Sequence, residues 1–243
     1  MSILVIGESC LDVFTYGECN RMCPEAPVPV FNPIDVVENG GMAMNVYNNL
    51  IKMGTQVDII TNQNYEGIKK TRFIDHRTNH MFMRLDEKDN DYGKFSINGI
   101  NFDEYEAIII SDYDKGFLTK KDIETIGKSH KGVFLDTKKT LGKWCETVSF
   151  IKFNITEYEA SRPYVNKKIS KKLIVTLGPK GAIHRDIIYP VPKVEIKDTS
   201  GAGDTFVAAL ASEYVKNCNI EDAIVYANSC STAVVQRRGV ATV

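Results

Sequence analysis

The segment Asp198-Thr-Ser-Gly-Ala-Gly-Asp-Thr-Phe206 carries the sharpest chemical signal in the chain. Small residues, Gly201, Ala202 and Gly203, lead into a stretch whose apolar positions, Phe206, Val207 and Leu210, predict a helix. Glycines let backbone approach a ligand closely, and the unpaired N–H groups of a helix start favour an anion. Asp204 is oddly placed if the only task there is to hold phosphate. A carboxylate at that point makes sense as a base beside a phosphoryl acceptor, the alternative being an N-capping aspartate.

A second set of polar residues follows the apolar runs. Glu8 and Asp12 come after the first, Ser111, Asp112, Tyr113, Asp114 and Lys115 after another, then Asp136 with Lys138, Asn154 with Glu157, and Thr176 with Gly178 and Gly181. Any one of these reads more readily as the cap of the next helix. Together they favour a site, because ligands of open α/β sheets bind beyond the carboxyl ends of the strands. Competing chemistries lack their motifs. The chain has no Gly-x-x-x-x-Gly-Lys-Ser/Thr loop, no Gly-x-Gly-x-x-Gly after a strand and no Gly-x-Ser-x-Gly elbow. Its six cysteines form no Cys-x-x-Cys pair, and Cys19 and Cys23 with His76 and His80 fit none of the common zinc spacings. The two histidines are expected on one face of a strand.

The elements that must position these groups alternate. Ser2–Ile6, Val57–Thr61, 107–111, Gly132–Asp136, Phe150–Asn154 and Leu173–Leu177 read as buried strands. Ala43–Met53, Lys120–Lys128, a stretch from Glu157, Asp204–Lys216 and Ile220–Gln236 read as helices. That rhythm predicts an α/β fold with a mainly parallel central sheet. Two segments depart from it. Thr15–Pro33 holds Pro24, Pro27, Pro29 and Pro33, which argues against a helix or a central strand. Arg72–Asp86 reads as half-exposed strands, and the two together are expected to form a small flap over one end of the sheet.

Composition narrows the class. The 243 residues are 43% apolar with net charge −1, ordinary values for a soluble globular chain and poor ones for an electrostatic nucleic-acid binder. No apolar run approaches the roughly 20 residues that span a bilayer. The apolar start is too short for a signal peptide, so reduced thiols and a cytoplasmic location are expected.

At residues 198–206 the chain resembles the ribokinase-like (PfkB) carbohydrate kinases. Gly40-Gly-Met-Ala-Met-Asn45 is similar to the family's sugar-binding signature, Asn154-Ile-Thr-Glu157 to its Asn-x-x-Glu motif, and Thr176-Leu-Gly-Pro-Lys-Gly181 to its nucleotide-binding turn. Arg21–Val30, Ser111–Gly116 and Gly239–Val243 resemble segments of the kinases of D-glycero-D-manno-heptose 7-phosphate. The resemblance implies one ribokinase-like domain over 1–243, helices on both faces of the sheet, and a small β lid from segments near 15–33 and 72–100. It implies transfer from Mg-ATP to a sugar hydroxyl, most specifically the anomeric hydroxyl of that heptose phosphate. Another sugar or nucleoside, or non-catalytic sugar binding, are the alternatives.

By the same resemblance Asp204 is the base, and Gly201, Ala202 and Gly203 form the anion hole. Asp12, Gly40, Gly41, Asn45, Asp112 and Lys115 hold the sugar. Asn154, Glu157, Thr176, Gly178, Gly181 and Asn228 serve the nucleotide, Glu157 reaching Mg²⁺ through water, and Asp198 lies by a monovalent cation such as K⁺. Lys115, Arg72 and Arg84 are candidates for a distal phosphate. A homodimer is expected through lid edges near Val28, Val30 and Phe31. Some relatives continue into an adenylyltransferase; the chain ends where the kinase part does, which implies a stand-alone kinase. Two departures stand out. Either a residue is extra near Met42 or Met42 replaces a glycine, and Thr61–Thr71 is shorter than the family's connection.

Overall fold

The computed structural model describes residues 2–243. In chain order the N-terminal half holds β1 (Ser2–Gly7), β2 (Ser9–Met22), β3 (Pro29–Met42), α1 (Ala43–Lys52), β4 (Gln56–Ile60), β5 (Lys69–Asp75), β6 (Met81–Glu87) and β7 (Ala107–Asp112). Then come α2 (Lys120–Ser129), β8 (Val133–Thr137), β9 (Phe150–Asn154), α3 (Ile155–Ser161), α4 (Lys167–Ser170) and β10 (Leu173–Thr176). The chain closes with β11 (Ala182–His184), β12 (Ile187–Tyr189), α5 (Ala202–Asn217) and α6 (Ile220–Val234).

Eight strands form one sheet in the order β12-β11-β10-β9-β8-β7-β1-β4. From β10 to β4 every pairing is parallel; β11 and β12 add an antiparallel edge. Both faces are covered, which is why these strands read as continuous apolar runs. Ile3, Val5 and Ile109 point into a core shared with α1, α5 and α6, whereas Leu4, Ile6 and Ile110 point into a second core that includes Ile123 and Ile126 of α2.

A second, four-stranded sheet has the order β3-β2-β5-β6. Here the proline argument is corrected. Thr15–Met22 lies in β2, a central strand paired with β3 on one side and β5 on the other. Pro24 and Pro27 fall in the turn, while Pro29 and Pro33 lie on β3, an edge strand with one hydrogen-bonding side free, where proline is tolerated. His76 and His80 are not strand neighbours either: they flank the turn between β5 and β6, where Asp75 Oδ1 accepts the Arg77 and Thr78 amides. Between β4 and β5 the short connection contains one 3₁₀ turn, Tyr65–Gly67.

Candidate active site

Strand register places the polar groups together. Gly7 pairs with Ser111, Ser111 with Asp136, Asp112 with Thr137, Asp136 with Lys152, and Asn154 with Thr176. The carboxyl ends of β1, β7, β8, β9 and β10 therefore form one rim. The start of α5 faces it, as the contact between Gly203 and Lys152 shows: a Cβ on Gly203 would lie 2.8 Å from Lys152 Nζ.

Asp204 is the centre. It is 8% exposed. Asn45 Nδ2 donates to its Oδ2 at 2.9 Å and the Tyr113 hydroxyl donates to its Oδ1 at 2.8 Å. Burial pushes the carboxyl up to about 6, against the pull of those two donors; Asp136 adds to the rise and Lys152 opposes it. Both oxygens accept from side chains outside α5, and α5 has no side-chain cap hydrogen bond, so Asp204 is not an N-cap. Asn45 is itself held by Asn49, whose Nδ2 reaches Asn45 O at 2.8 Å and whose Oδ1 accepts from Thr205 Oγ1 at 3.1 Å.

Gly201 precedes α5 with φ 76°, a left-handed backbone conformation, and a Cβ there would lie 2.6 Å from Asn45 Nδ2. That turn leaves the Gly203 and Asp204 amides ahead of the first intrahelical bond, Thr205 N to Gly201 O at 2.9 Å, as an anion site requires. Cations gather beside it. Lys152 pairs with Asp136 Oδ2 at 2.8 Å, and Lys138 pairs with Glu157. Burial works against the Lys138 charge, but Asp136 and Glu157 outweigh it and hold that amine above the ordinary lysine value. Asn154 and Glu157 form a reciprocal capping box at the start of α3, so the Asn-x-x-Glu spacing has a structural role of its own.

On one side of Asp204 lies a groove of about 420 Å³ whose lining includes Thr176, Gly178, Gly181, Gly203 and Asn228. Its walls are largely apolar, with Pro192, Val194, Ile196 and Val235 among them. Asn228 is fixed by donating to Tyr189 O at 2.8 Å.

The other side is charged. Arg72 Nη1 meets Asp12 Oδ1 at 2.6 Å. Gly41 lies against Asp12, where a Cβ would be 2.7 Å from Oδ2; Gly40 pairs with Leu11 one step along β3. Met42 has φ 62° and ψ −129°, a conformation that glycine adopts far more readily than methionine. Of the two alignments open at the sequence level, the backbone favours Met42 in place of a glycine. Buried Glu8 accepts the amides of Tyr113 at 2.8 Å and Lys115 at 3.1 Å, fixing the loop after β7. Lys115 Nζ pairs with Asp89 Oδ2 at 2.6 Å, and Asp112 with Lys139 at 2.6 Å.

Two further expected participants are held by neighbouring groups, Arg84 directly across from Arg72 in the β5–β6 pairing. Arg84 is on edge strand β6, with Nε 2.7 Å from Asp86 Oδ1. Asp198 acts as a clasp: Oδ1 accepts Ser200 N at 2.8 Å and Oδ2 accepts Gly239 N at 3.1 Å. Each oxygen accepts one hydrogen bond there and keeps a second lone pair. The sequence reading missed Lys70, Asp89 and Lys152. Lys152 did leave a signal, a lysine in the middle of the apolar run Phe-Ile-Lys-Phe-Asn, since lysine is rarely buried unless paired.

This architecture is that of the ribokinase-like α/β proteins. A ribokinase from Thermotoga maritima superposes with TM-score 0.73 at 18% identity, covering 98% of this chain and 94% of that one. A ribokinase from Arabidopsis thaliana, solved with ribose and ATP, gives 0.71 at 14% identity, with 98% and 93% covered. The chain belongs to the pfkB family carbohydrate kinases, whose pattern matches residues 107–243. Among curated relatives, the bifunctional protein HldE of a Nitratiruptor species is 31% identical across 99% of this chain. That of Helicobacter pylori is 28% identical across 98%. The chain spans 62–63% of the length of these relatives. The Nitratiruptor alignment runs over 297 positions, more than the 243 residues here, so that relative carries segments this chain lacks.

Proposed function

We propose that this carbohydrate kinase transfers the γ-phosphoryl group of ATP to the anomeric hydroxyl of D-glycero-D-manno-heptose 7-phosphate, with Asp204 as the base. One observation carries the mechanism: a buried carboxylate, raised to about 6, at the glycine-formed start of α5. Near neutral pH it is ionised yet basic enough to take a proton, as a general base should be. The acceptor hydroxyl gives its proton to Asp204, its oxygen bonds to the γ-phosphorus, and the bond from phosphorus to the β-phosphate oxygen breaks to release ADP. Such a transfer asks mainly for positioning and charge stabilisation. The amides of Gly201 and Gly203, with Lys152 beside them, answer the charge on the moving group; the Ala202 amide, expected in the same role, instead donates to Thr199 O at 3.3 Å.

The apolar groove suits the nucleotide, with Thr176, Gly178, Gly181 and Asn228 along it. Asp12, Gly40, Gly41 and Asn45 suit the sugar and Lys115 its distal phosphate; Asp112, expected beside them, is buried against Thr137 and Lys139 instead of open to the sugar. Mg²⁺ is normally held by substrate phosphates, water and one or two carboxylates. The rim fits that pattern: among the described residues no cluster of three metal-ligating side chains occurs, while Asp136 keeps a buried Oδ1 without a partner and Glu157 lies close by. When bound, the metal neutralises phosphate charge; Asp136 and Glu157 would face it.

The heptose reading is supported by the likeness of Arg21–Val30, Ser111–Gly116 and Gly239–Val243 to heptose-phosphate kinases. It is tested by a turnover screen of sugars and sugar phosphates with ATP. Preference for a heptose 7-phosphate over the unphosphorylated sugar supports it; equal use of ribose or fructose removes it. The four-stranded sheet suits both a lid and a homodimer face, because Ile34, Val36, Met81, Met83 and Leu85 are exposed on its outer strands. Val28 is exposed, but Val30 and Phe31 are half-buried, Phe31 packing edge-on to Phe73 and Phe82. Light scattering that finds a fully active monomer at micromolar concentration would remove the dimer.

A further inference from the structure

Lys70 and Lys115 reach one carboxylate from different parts of the fold. Lys70 comes from β5 and Lys115 from the loop after β7; their Nζ atoms lie 3.3 Å from Asp89 Oδ1 and 2.6 Å from Asp89 Oδ2. The Tyr92 hydroxyl also donates to Asp89. Burial opposes the Asp89 charge, yet Lys115, Tyr92 and Lys70 together hold its carboxyl below the usual aspartate value.

This cluster borders the charged side of the cleft. Lys70 Nζ is 3.7 Å and Tyr92 OH 3.8 Å from Met42 Sδ, and Met42 is the residue before α1, which presents Asn45 to Asp204. Lys115 is two residues from Tyr113, which touches the other oxygen of Asp204. Two converging ammonium groups match a phosphate, which carries more charge and more acceptor oxygens than one carboxylate. Left unpaired, the buried Lys70 and the partly exposed Lys115 would repel each other, so an internal carboxylate keeps them together when no ligand is bound. Asp89 can leave without breaking a sheet: it lies just past β6, in a loop that begins at Lys88 with φ 54°. The Lys115 side chain, 33% exposed, gives the pair an opening to solvent.

We propose that Asp89 is a resident carboxylate filling an anion subsite made by Lys70 and Lys115, and that a phosphate group on the acceptor displaces it. The proposal rests on the phosphosugar reading and deepens it. An acceptor with no second anion has nothing to exchange for Asp89, so the exchange selects phosphorylated sugars.

The test titrates inorganic phosphate calorimetrically into the full chain saturated with a non-hydrolysable ATP analogue, which occupies the anion site at the start of α5. Asp89→Asn keeps the side-chain shape and removes the competing charge. It is expected to bind phosphate about tenfold more tightly than the wild type or better, and Lys115→Met added to it is expected to abolish that gain. Equal affinity in the wild type and Asp89→Asn overturns the proposal, as does a gain that survives Lys115→Met. Should circular dichroism show Asp89→Asn unfolded, Asp89→Ser is read by the same criteria. Turnover does not enter this titration, so a different acceptor would show in the substrate screen without deciding the fate of Asp89.

Discussion

The two sides of Asp204 are built by opposite means. Toward the groove proposed for the nucleotide, the contacts are backbone and apolar walls: a left-handed glycine, helix-start amides, and residues such as Pro192, Val194 and Val235. On the side proposed for the acceptor, nearly every polar group is locked to another charged side chain, Asp12 to Arg72, and Lys70 and Lys115 to Asp89. A polyphosphate and a flat base can be held by dipoles and shape. Discriminating one sugar from another needs side chains that lose partners when the wrong ligand enters. The contrast assigns common chemistry to the first side and specificity to the second.

The largest expected effect lies where the sides meet. Asp204→Asn keeps shape and hydrogen-bonding capacity but cannot accept the proton, and kcat should fall about 100-fold or more while ATP and sugar still bind. Wild-type turnover in this variant would place the base elsewhere and dissolve the division itself. On the nucleotide side, Gly201→Ala forces a side chain into a backbone at φ 76° and against Asn45. Loss of anion-hole geometry should lower kcat by roughly 10²-fold, and a kcat within twofold of wild type would show that those amides do not contact the transferring group. Two milder variants sharpen the split. Asp12→Ala should raise KM for the sugar by about tenfold and leave KM for ATP nearly unchanged, whereas Asn228→Ala should raise KM for ATP severalfold and spare the sugar. Initial-rate kinetics with each substrate varied in turn reads both, and a matching rise in both constants for either variant would contradict the comparison.

The same contrast governed what was legible in the sequence. Phe150–Asn154 coincides with β9 and Ala43–Met53 overlaps α1 almost fully, because buried parallel strands and amphipathic helices write periodic patterns. The glycine-rich run at 198–206 was equally readable, since close backbone approach restricts residue type locally. β2 was misread because edge-strand prolines at 29 and 33 were counted against a strand they do not occupy. Lys70 and Asp89 were invisible for a different reason. Their pairing depends on β5 lying beside β2 and on the loop after β6 folding back, and no short-range pattern encodes that.

The smallest expected effect tests how finely the base is tuned. Asp204 works as a base only when ionised, so kcat should rise with pH through about 6 and level off above it. The Tyr113 hydroxyl donates to Oδ1 and so favours the ionised form. Tyr113→Phe removes that donor, which raises the Asp204 pKa and moves the acidic limb to higher pH. A hydrogen bond to a charged group contributes about 1.5–3 kcal/mol, and about 1.4 kcal/mol corresponds to one pH unit. Because Asn45 and new water retain part of the stabilisation, a displacement of about one unit is expected. Well above both limbs, kcat should converge on the wild-type value. A Tyr113 that only props the loop after β7 would instead lower kcat by the same factor at every pH and leave the midpoint in place. A full pH profile of kcat therefore separates the two roles, and an unmoved limb would mean that the bond between Tyr113 and Asp204 is not made in the working complex.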